Sequence, residues 1–569
     1  MKTVASLNRR VVFASCLVAL GCGGDDIRSS EMTSDAAVAG LDAAVSDAAV
    51  SDAMVPEPPF PFVRCENPGD PLPALVEDRS VYDQDTLEVP EIRLTVTDLE
   101  AFALVNADDD PHVPKHTVPV LFQEGSFGEG LTAPNGTLKA RGHASLGSAQ
   151  QNYKVKLTSK TTLWNGQREI NLNKHMGDRT RVRNKTAFDI LQTVPHLTSA
   201  RTRFVHVFIN DDDYGLFTWI EELDKRFLRS HGLDTDGQLY KTAHWHFEPI
   251  DPAIVADYNP TNYYDSMDYY VEDKANEDRA KLMRMVDALD NEDLKVDTII
   301  DTYFNRENLI TWLAVNVLVN NLDTVTQNFY LYSPSSCEGW YILPWDYDGA
   351  FDFYTRGGRE SSLDRWRSGL SNWWRSRLFR RFFTVPANVE AIETRILELQ
   401  EGVLNDAIVD EKFASYHDIV EAYISAEPDI THLPGHDDED GPAAAIAVWN
   451  AELSRITTTV TKFSAEFFEV IERPMPVFMS FTLQSPLKFR WNNSYDLQQD
   501  PITYDFQIST TTLFEAGDIV EEQLGLTDRT TTVPSLPAGT YYWRVFILDN
   551  VSATSYQLPY DPYEEIVIP

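Results

Sequence analysis

Apolar and polar positions alternate along residues 91–96 (Glu-Ile-Arg-Leu-Thr-Val). Residues 118–122 and 137–141 read the same way, so the pattern predicts three strands set between turn residues. In 153–157 the same period puts Lys154 and Lys156 on one face of a strand and Tyr153, Val155 and Leu157 on the other. An Arg-rich opening at 179–185 leads into a helix through 187–191, and 204–209 with 214–220 flank Asn210-Asp211-Asp212-Asp213 as a strand–turn–strand hairpin. Helical spacing then predicts elements at 277–290, 298–319 and 373–384, and helical patterns dominate to about 472. From 475 the period returns to two, in short strands at 488–491, 503–509 and 540–548. Strands first, helices next and strands last predict an α+β body followed by a small all-β sandwich.

The most informative stretch lies between the helical blocks. Aromatic, β-rich runs at 329–332 and 340–344, joined by a Ser/Pro/Gly-containing loop at 333–338, predict a hairpin. It carries Asp323 and Asn328 into one strand and delivers Asp346 and Asp348 at the exit of the other, so four oxygen-bearing side chains share one side. Carboxylates beside apolar strands resist desolvation and are stabilised by a cation. Mg²⁺ or Mn²⁺ with a phosphate ligand suits this donor set. Asp323 to Asn328 is the interval of protein-kinase catalytic loops, in which the Asp receives the hydroxyl proton and the Asn holds a metal. Asp346-Tyr347-Asp348 is not Asp-Phe-Gly, however, and no His-Arg precedes Asp323. The plainer alternative is a turn-capping Asp and a solvated acidic turn.

These residues, Asn321-Leu322-Asp323 with Asn328-Phe329-Tyr330 and then Trp345-Asp346-Tyr347-Asp348, resemble the signature of the CotH kinase family of spore-coat-type atypical kinases. The resemblance extends to Arg141-Gly142-His143-Ala144-Ser145, where His-Ala-Ser stands for the family's Asn-Ser-Ser. It continues through Tyr153-Lys154-Val155-Lys156-Leu157, Arg183-Asn184-Lys185 and the strand ending at Glu221, and covers roughly 90–400. It implies an atypical protein-kinase-like catalytic region using ATP and Mg²⁺ or Mn²⁺. Asp323 would be catalytic, with Asn328, Asp346 and Asp348 at the metal. Arg141, Arg183 and either Lys154 or Lys156 would lie on the nucleotide side, with Glu221 as ion-pair partner of the phosphate-holding lysine. The implied acceptors are Ser or Thr of surface or coat proteins. Trp491, Tyr504, Leu536 and Tyr542 resemble the core pattern of a fibronectin type III-like sandwich, whose usual job is spacing or protein contact.

Composition changes the picture in three ways. The 569 residues, 43% hydrophobic and 11% aromatic, hold enough material for a large core and a satellite domain. The formal charge of −40 argues against nucleic acid and anionic membrane as partners. The N-terminus reads as an export segment: Lys2, Arg9 and Arg10 precede an apolar run at 11–20 that is too short to span a bilayer, and Ala19-Leu20-Gly21-Cys22 resembles a lipobox. That predicts lipidation of Cys22 and anchoring to the bacterial cell envelope, at the periplasm or outer surface, with plain secretion as the alternative. Cys65 and Cys337 can then pair in an oxidising compartment or stand as separate thiols. The expected domains are a signal peptide at 1–21, a disordered Ala/Asp/Pro-rich tether at 22–61, the kinase-like domain at 62–473 and the sandwich at 474–569. Other candidates are weaker. His244 and His246 lack a third metal ligand, the basic loop at 356–367 suits phosphate or serves as a linker, and the acidic loop at 435–441 is either a weak calcium site or solvated. The rival from another class is a non-catalytic surface adhesion protein with a structural cation.

Overall fold

The alternating N-terminal strands close into a ring. The computed structural model describes residues 74–569 other than 76, 83–86, 111–112, 252–253, 256–265, 276–278, 355–366, 368, 438–439 and 550–555. The ring is built from β1 (Glu91–Thr95), β2 (Val118–Glu124), β3 (Gly136–Arg141), β4 (Asn152–Leu157), β5 (Glu169–Asn173), β6 (Thr202–Ile209) and β7 (Asp212–Glu221). Their order is β1-β2-β3-β4-β5-β7-β6, and a parallel seam between β1 and β6 closes it, aligning Ile92 with Val207 and Leu94 with Ile209. Inward positions fill the barrel with Ile92, Leu94, Val120, Phe122, Leu138, Val155, Leu172 and Trp219. The outward faces of β3, β4 and β5 carry polar residues, and these become the wall of the site.

A second sheet, in the order β11-β10-β8-β9, joins β8 (Gln238–Thr242), β9 (Val271–Asp273), β10 (Phe329–Ser333) and β11 (Tyr341–Pro344). The expected hairpin is present, with Phe329 opposite Pro344 and Tyr332 opposite Tyr341, and every residue of β10 and β11 is buried. The predicted helix at 298–319 is two helices, Val296–Tyr303 and Arg306–Leu318. Asn305 separates them, because its side-chain oxygen accepts from the Asn308 amide at 2.8 Å and caps the second helix. The second is buried from Asn308 to Leu318. The helix expected at 373–384 begins only at Arg377, after a 3₁₀ turn over Gly369–Trp373. Helices from Pro386 to Val470 surround this layer.

The C-terminal strands form two antiparallel sheets. The first orders β12 (Met479–Thr482), β13 (Leu487–Trp491) and β16 (Thr530–Val533) as β12-β13-β16. The second orders β14 (Thr503–Ser509), β15 (Ile519–Leu526), β17 (Gly539–Leu548) and β18 (Tyr556–Gln557) as β15-β14-β17-β18, and β19 (Glu564–Ile568) also pairs with β17. Phe489, Trp491, Phe506 and Trp543 pack between them. Tyr495 stacks on Trp374 at 5.4 Å and Arg375 lies 5.2 Å above both Phe478 and Tyr560, joining these sheets to the helices.

The expected export segment, Cys22, the tether and Cys65 lie outside the described residues, as does most of the basic loop. Cys337 is disulfide-bonded. Among the described residues no helix is long and apolar enough to cross a membrane.

Candidate functional site

Both arms of the expected site leave the same end of the β10–β11 hairpin, because Asn328 precedes β10 and Asp346 follows β11. Asn328 and Asp346 adopt left-handed backbone conformations, with φ of 63° and 55°. Asn and Asp tolerate that region better than other side chains, and its use fixes where each side chain leaves the strand. Asp323 accepts hydrogen bonds from Asn328 Nδ2 and Gln327 Nε2, each at 2.8 Å, so its carboxylate is oriented before any substrate arrives. The Asn328 Oδ1 accepts nothing among the described residues. A Cβ on Gly349 would lie 3.4 Å from Asn321 Oδ1, so the turn after Asp348 packs on the loop before Asp323.

Asp346 is half-buried, and burial first and the Asp348 carboxylate second push its carboxyl up to about 7. Lys241, Arg141 and His175 act in the opposite direction. Asp348 is more exposed, with the His175 ring nitrogen 3.7 Å away. The turn is held from the other side by the Asn184 side chain, which accepts from the Tyr347 amide at 3.1 Å. A half-buried carboxyl raised in this way, next to a second carboxylate, fits a hard divalent cation, whose charge would offset the repulsion. The three carboxylates do not form one shell. Among the described residues, the group of three His, Cys, Asp or Glu side chains with ligand atoms within 4.8 Å of one another is His417, Asp418 and Glu421, on a peripheral helix.

The outward face of the barrel supplies the opposite wall. Gly142, at φ 108°, turns the chain directly after Arg141. A Cβ there would meet Ser145 Oγ at 2.0 Å, which explains the glycine of this motif. Arg141 hydrogen-bonds Asn173. Lys154 bridges Glu169 at 3.1 Å and Glu222 at 2.9 Å, and Lys156, half exposed, pairs with Glu169 at 2.7 Å. The carboxylate opposite Lys154 is thus Glu222 rather than the expected Glu221. Neighbours on a strand point to opposite faces, and Glu221 turns away to bind Arg201 at 2.6 Å and Gln167 at 2.9 Å. Arg183 is likewise not at the site. It is fully buried, paired with Asp178 at 2.5 Å and Glu452 at 2.6 Å, and donates to the Phe351 carbonyl. Its helix still matters, since Asn184 holds the Asp346–Asp348 turn.

The structure therefore brings Asp323, Asn328, Asp346 and Asp348 to one end of the hairpin, with Arg141 close enough to act on Asp346, engages Lys154 with Glu169 and Glu222, and excludes Glu221 and Arg183. Sequence reasoning missed Lys241, Glu222, Glu272, Lys274 and His175. Lys241 carried a usable signal, a lone cation in the short apolar run Gln-Leu-Tyr-Lys-Thr. His175 carried none.

Inner spore coat protein H of Bacillus subtilis (strain 168) is 25% identical over 203 residues, 34% of this chain and 53% of that protein, so the match spans about half the relative's length. A chain of the solved Shewanella oneidensis MR-1 HipA, HipB and operator DNA complex overlaps 60% of this chain and 67% of its own at 13% identity. Its TM-score is 0.23, too low to bear on fold or function. The family model described as CotH kinase protein matches residues 138–463, which hold the Arg-Gly turn, the lysine strand and both arms of the hairpin. The chain belongs to the CotH kinase protein family.

Proposed function

We propose that the chain is an exported atypical protein kinase that transfers the γ-phosphoryl group of ATP to Ser or Thr hydroxyls of surface or coat proteins. The observation that carries this reading is the Asp323–Asn328 hydrogen bond at the end of the hairpin that also delivers Asp346. Asp323, oriented by Gln327 and Asn328, positions the acceptor hydroxyl and takes its proton. Asp346 and the Asn328 amide oxygen, with Asp348 beside them, would hold Mg²⁺ or Mn²⁺, and such an ion neutralises charge on the phosphates of bound ATP. Arg141 lies where it adds a fixed positive charge on the barrel side. The N-terminal segment, lipidated at Cys22, anchors the chain to the cell envelope through the 22–61 tether. The C-terminal sheets, with three strands against a larger sheet, act as a fibronectin type III-like spacer or protein contact.

The test uses the purified mature chain with γ-labelled ATP and Mn²⁺, offered a Ser/Thr-containing coat or surface protein. Label transfer that disappears in Asp323→Ala and in Asp346→Ala, while both variants melt like the wild type, supports the reading. Absence of transfer in the wild type, or transfer that survives Asp323→Ala, removes it.

A further inference from the structure

Charge on the barrel wall does not balance. Lys154, Lys156 and Lys274 occupy three carboxylates: Glu169 takes Lys154 and Lys156, Glu222 takes Lys154 with Lys274 at 3.6 Å, and Glu272 takes Lys274 at 2.7 Å. Two further lysines face the same space. Lys139 stands directly across from Lys154 in the β3–β4 register, and Lys241 stands between Glu272 on β9 and Tyr330 on β10. Among the described residues neither ammonium has a carboxylate or carbonyl oxygen at ion-pair or hydrogen-bond distance. Arg141, on the same face of β3 as Lys139, meets only the neutral amide of Asn173.

We infer that Lys241, flanked by Lys139 and Arg141, is the cation that receives the phosphate chain of the nucleotide, and that Lys154 is instead a structural member of the ionic ladder. The inference rests on the kinase reading and deepens it. Three observations carry it. The Lys241 ammonium lies 5.9 Å from the centre of the Trp345 ring, one residue before Asp346, so the unpaired cation sits beside the proposed metal carboxylate. Second, like charges facing each other across a strand pair destabilise a sheet, and Lys139 opposite Lys154 is such a pair in a chain with 88 acidic residues against 48 basic. Third, the unpaired lysines are electrostatically strained. Burial and then Lys154 pull Lys139 below its ordinary range. Burial also lowers Lys241, with Glu272 opposing and Lys274 and Arg141 reinforcing. An anionic chain of several phosphates relieves all of these at once.

The experiment compares the full chain with Lys241→Met, Lys241→Gln, Lys241→Arg and Lys154→Met, following thermal melting and equilibrium binding of Mn·ATP and, separately, of tripolyphosphate. Lys241→Met is expected to lose about tenfold affinity for both probes while melting no lower than the wild type, and Lys241→Arg to regain most of it. Lys154→Met is expected to melt lower because it removes the nearer of the two cations on Glu222 and one of the two on Glu169. A folded Lys241→Met or Lys241→Gln variant with wild-type affinity overturns the inference. So does misfolding of both, since Lys241 would then be structural, and so does a wild type that binds neither probe. Tripolyphosphate binding through Lys241 without label transfer from ATP removes the kinase reading and keeps this one. Label transfer indifferent to Lys241 does the reverse.

Discussion

Two groups of charge, one where the barrel meets the outer helices and one on the barrel wall, are built on different rules. At the junction between the barrel and the outer helices, three buried cations each have an anion, while Arg181 donates to the Lys174 carbonyl at 2.8 Å. Lys174 meets Asp429 at 2.6 Å, Arg183 meets Asp178 and Glu452, and Lys185 meets Asp189, which also accepts from Tyr416. On the barrel wall facing the hairpin, the cations outnumber the anions within reach. Full pairing with good geometry is what a fold needs to bury charge at all, because an unpaired buried ion is costly. The uncompensated cations of the wall would be satisfied by a ligand of opposite sign. Composition did not separate the two groups, since the cations of 179–185 and Lys241 are the same residue types and differ only in distant partners.

The contrast can be broken most severely at the hairpin. Asp323→Ala is expected to lower label transfer by about a thousandfold with an unchanged melting temperature, measured by initial rates at saturating Mn·ATP. Loss of folding instead would make Asp323 another architectural charge. At the paired junction the expected result is the converse. Arg183→Met leaves Asp178 without its ion pair and Glu452 with Arg455 alone, and should cost roughly 3–5 kcal/mol in urea unfolding. A small effect there would erase the distinction.

Acid gives a finer test of the same junction. Burial opposes ionisation of Glu452, but hydrogen bonds and charge from Arg455 and Arg183 outweigh it and hold the carboxyl at about 2, against 4.5 for the unperturbed group. Its folded pKa is depressed, so its stabilisation is complete above about pH 4.5 and is lost as the pH falls toward 2. The linkage amounts to about 3 kcal/mol. Glu452→Gln should flatten that part of the stability–pH curve. The smallest expected effect is on the unpaired wall, where Lys139→Ala should raise stability by ~0.2–1 kcal/mol through removal of a like-charge pair. A loss of stability would show that Lys139 is paired after all.

Much of this was legible in the chain because it is local. Strand alternation at 153–157 placed Lys154 and Lys156 correctly on one face, and the aromatic runs at 329–332 and 340–344 marked the hairpin that brings Asp346 to the end where Asn328 stands. What was not legible depends on distant partners or on a shift of one position. Arg183 was expected on the nucleotide side because Glu452, 269 residues away, is invisible from its neighbourhood. Glu221 and Glu222 are adjacent acids, and only the register of β7 against β5 decides which one faces the lysines. The break at Asn305 could have been read from its capping side chain. The parallel pairing of β1 with β6 could not, since no turn joins those strands.

That seam bears on where the chain can be cut. The family match begins at Leu138, in the middle of β3, yet β1 and β2 lie upstream of it and complete the cylinder. A fragment trimmed to the matched residues would leave β3 and β6 as bare edges and uncover the apolar interior once lined by Ile92, Leu94, Val120 and Phe122. Open edges of that kind recruit other strands, so such a fragment should aggregate, whereas one starting ahead of residue 91 should stay dispersed.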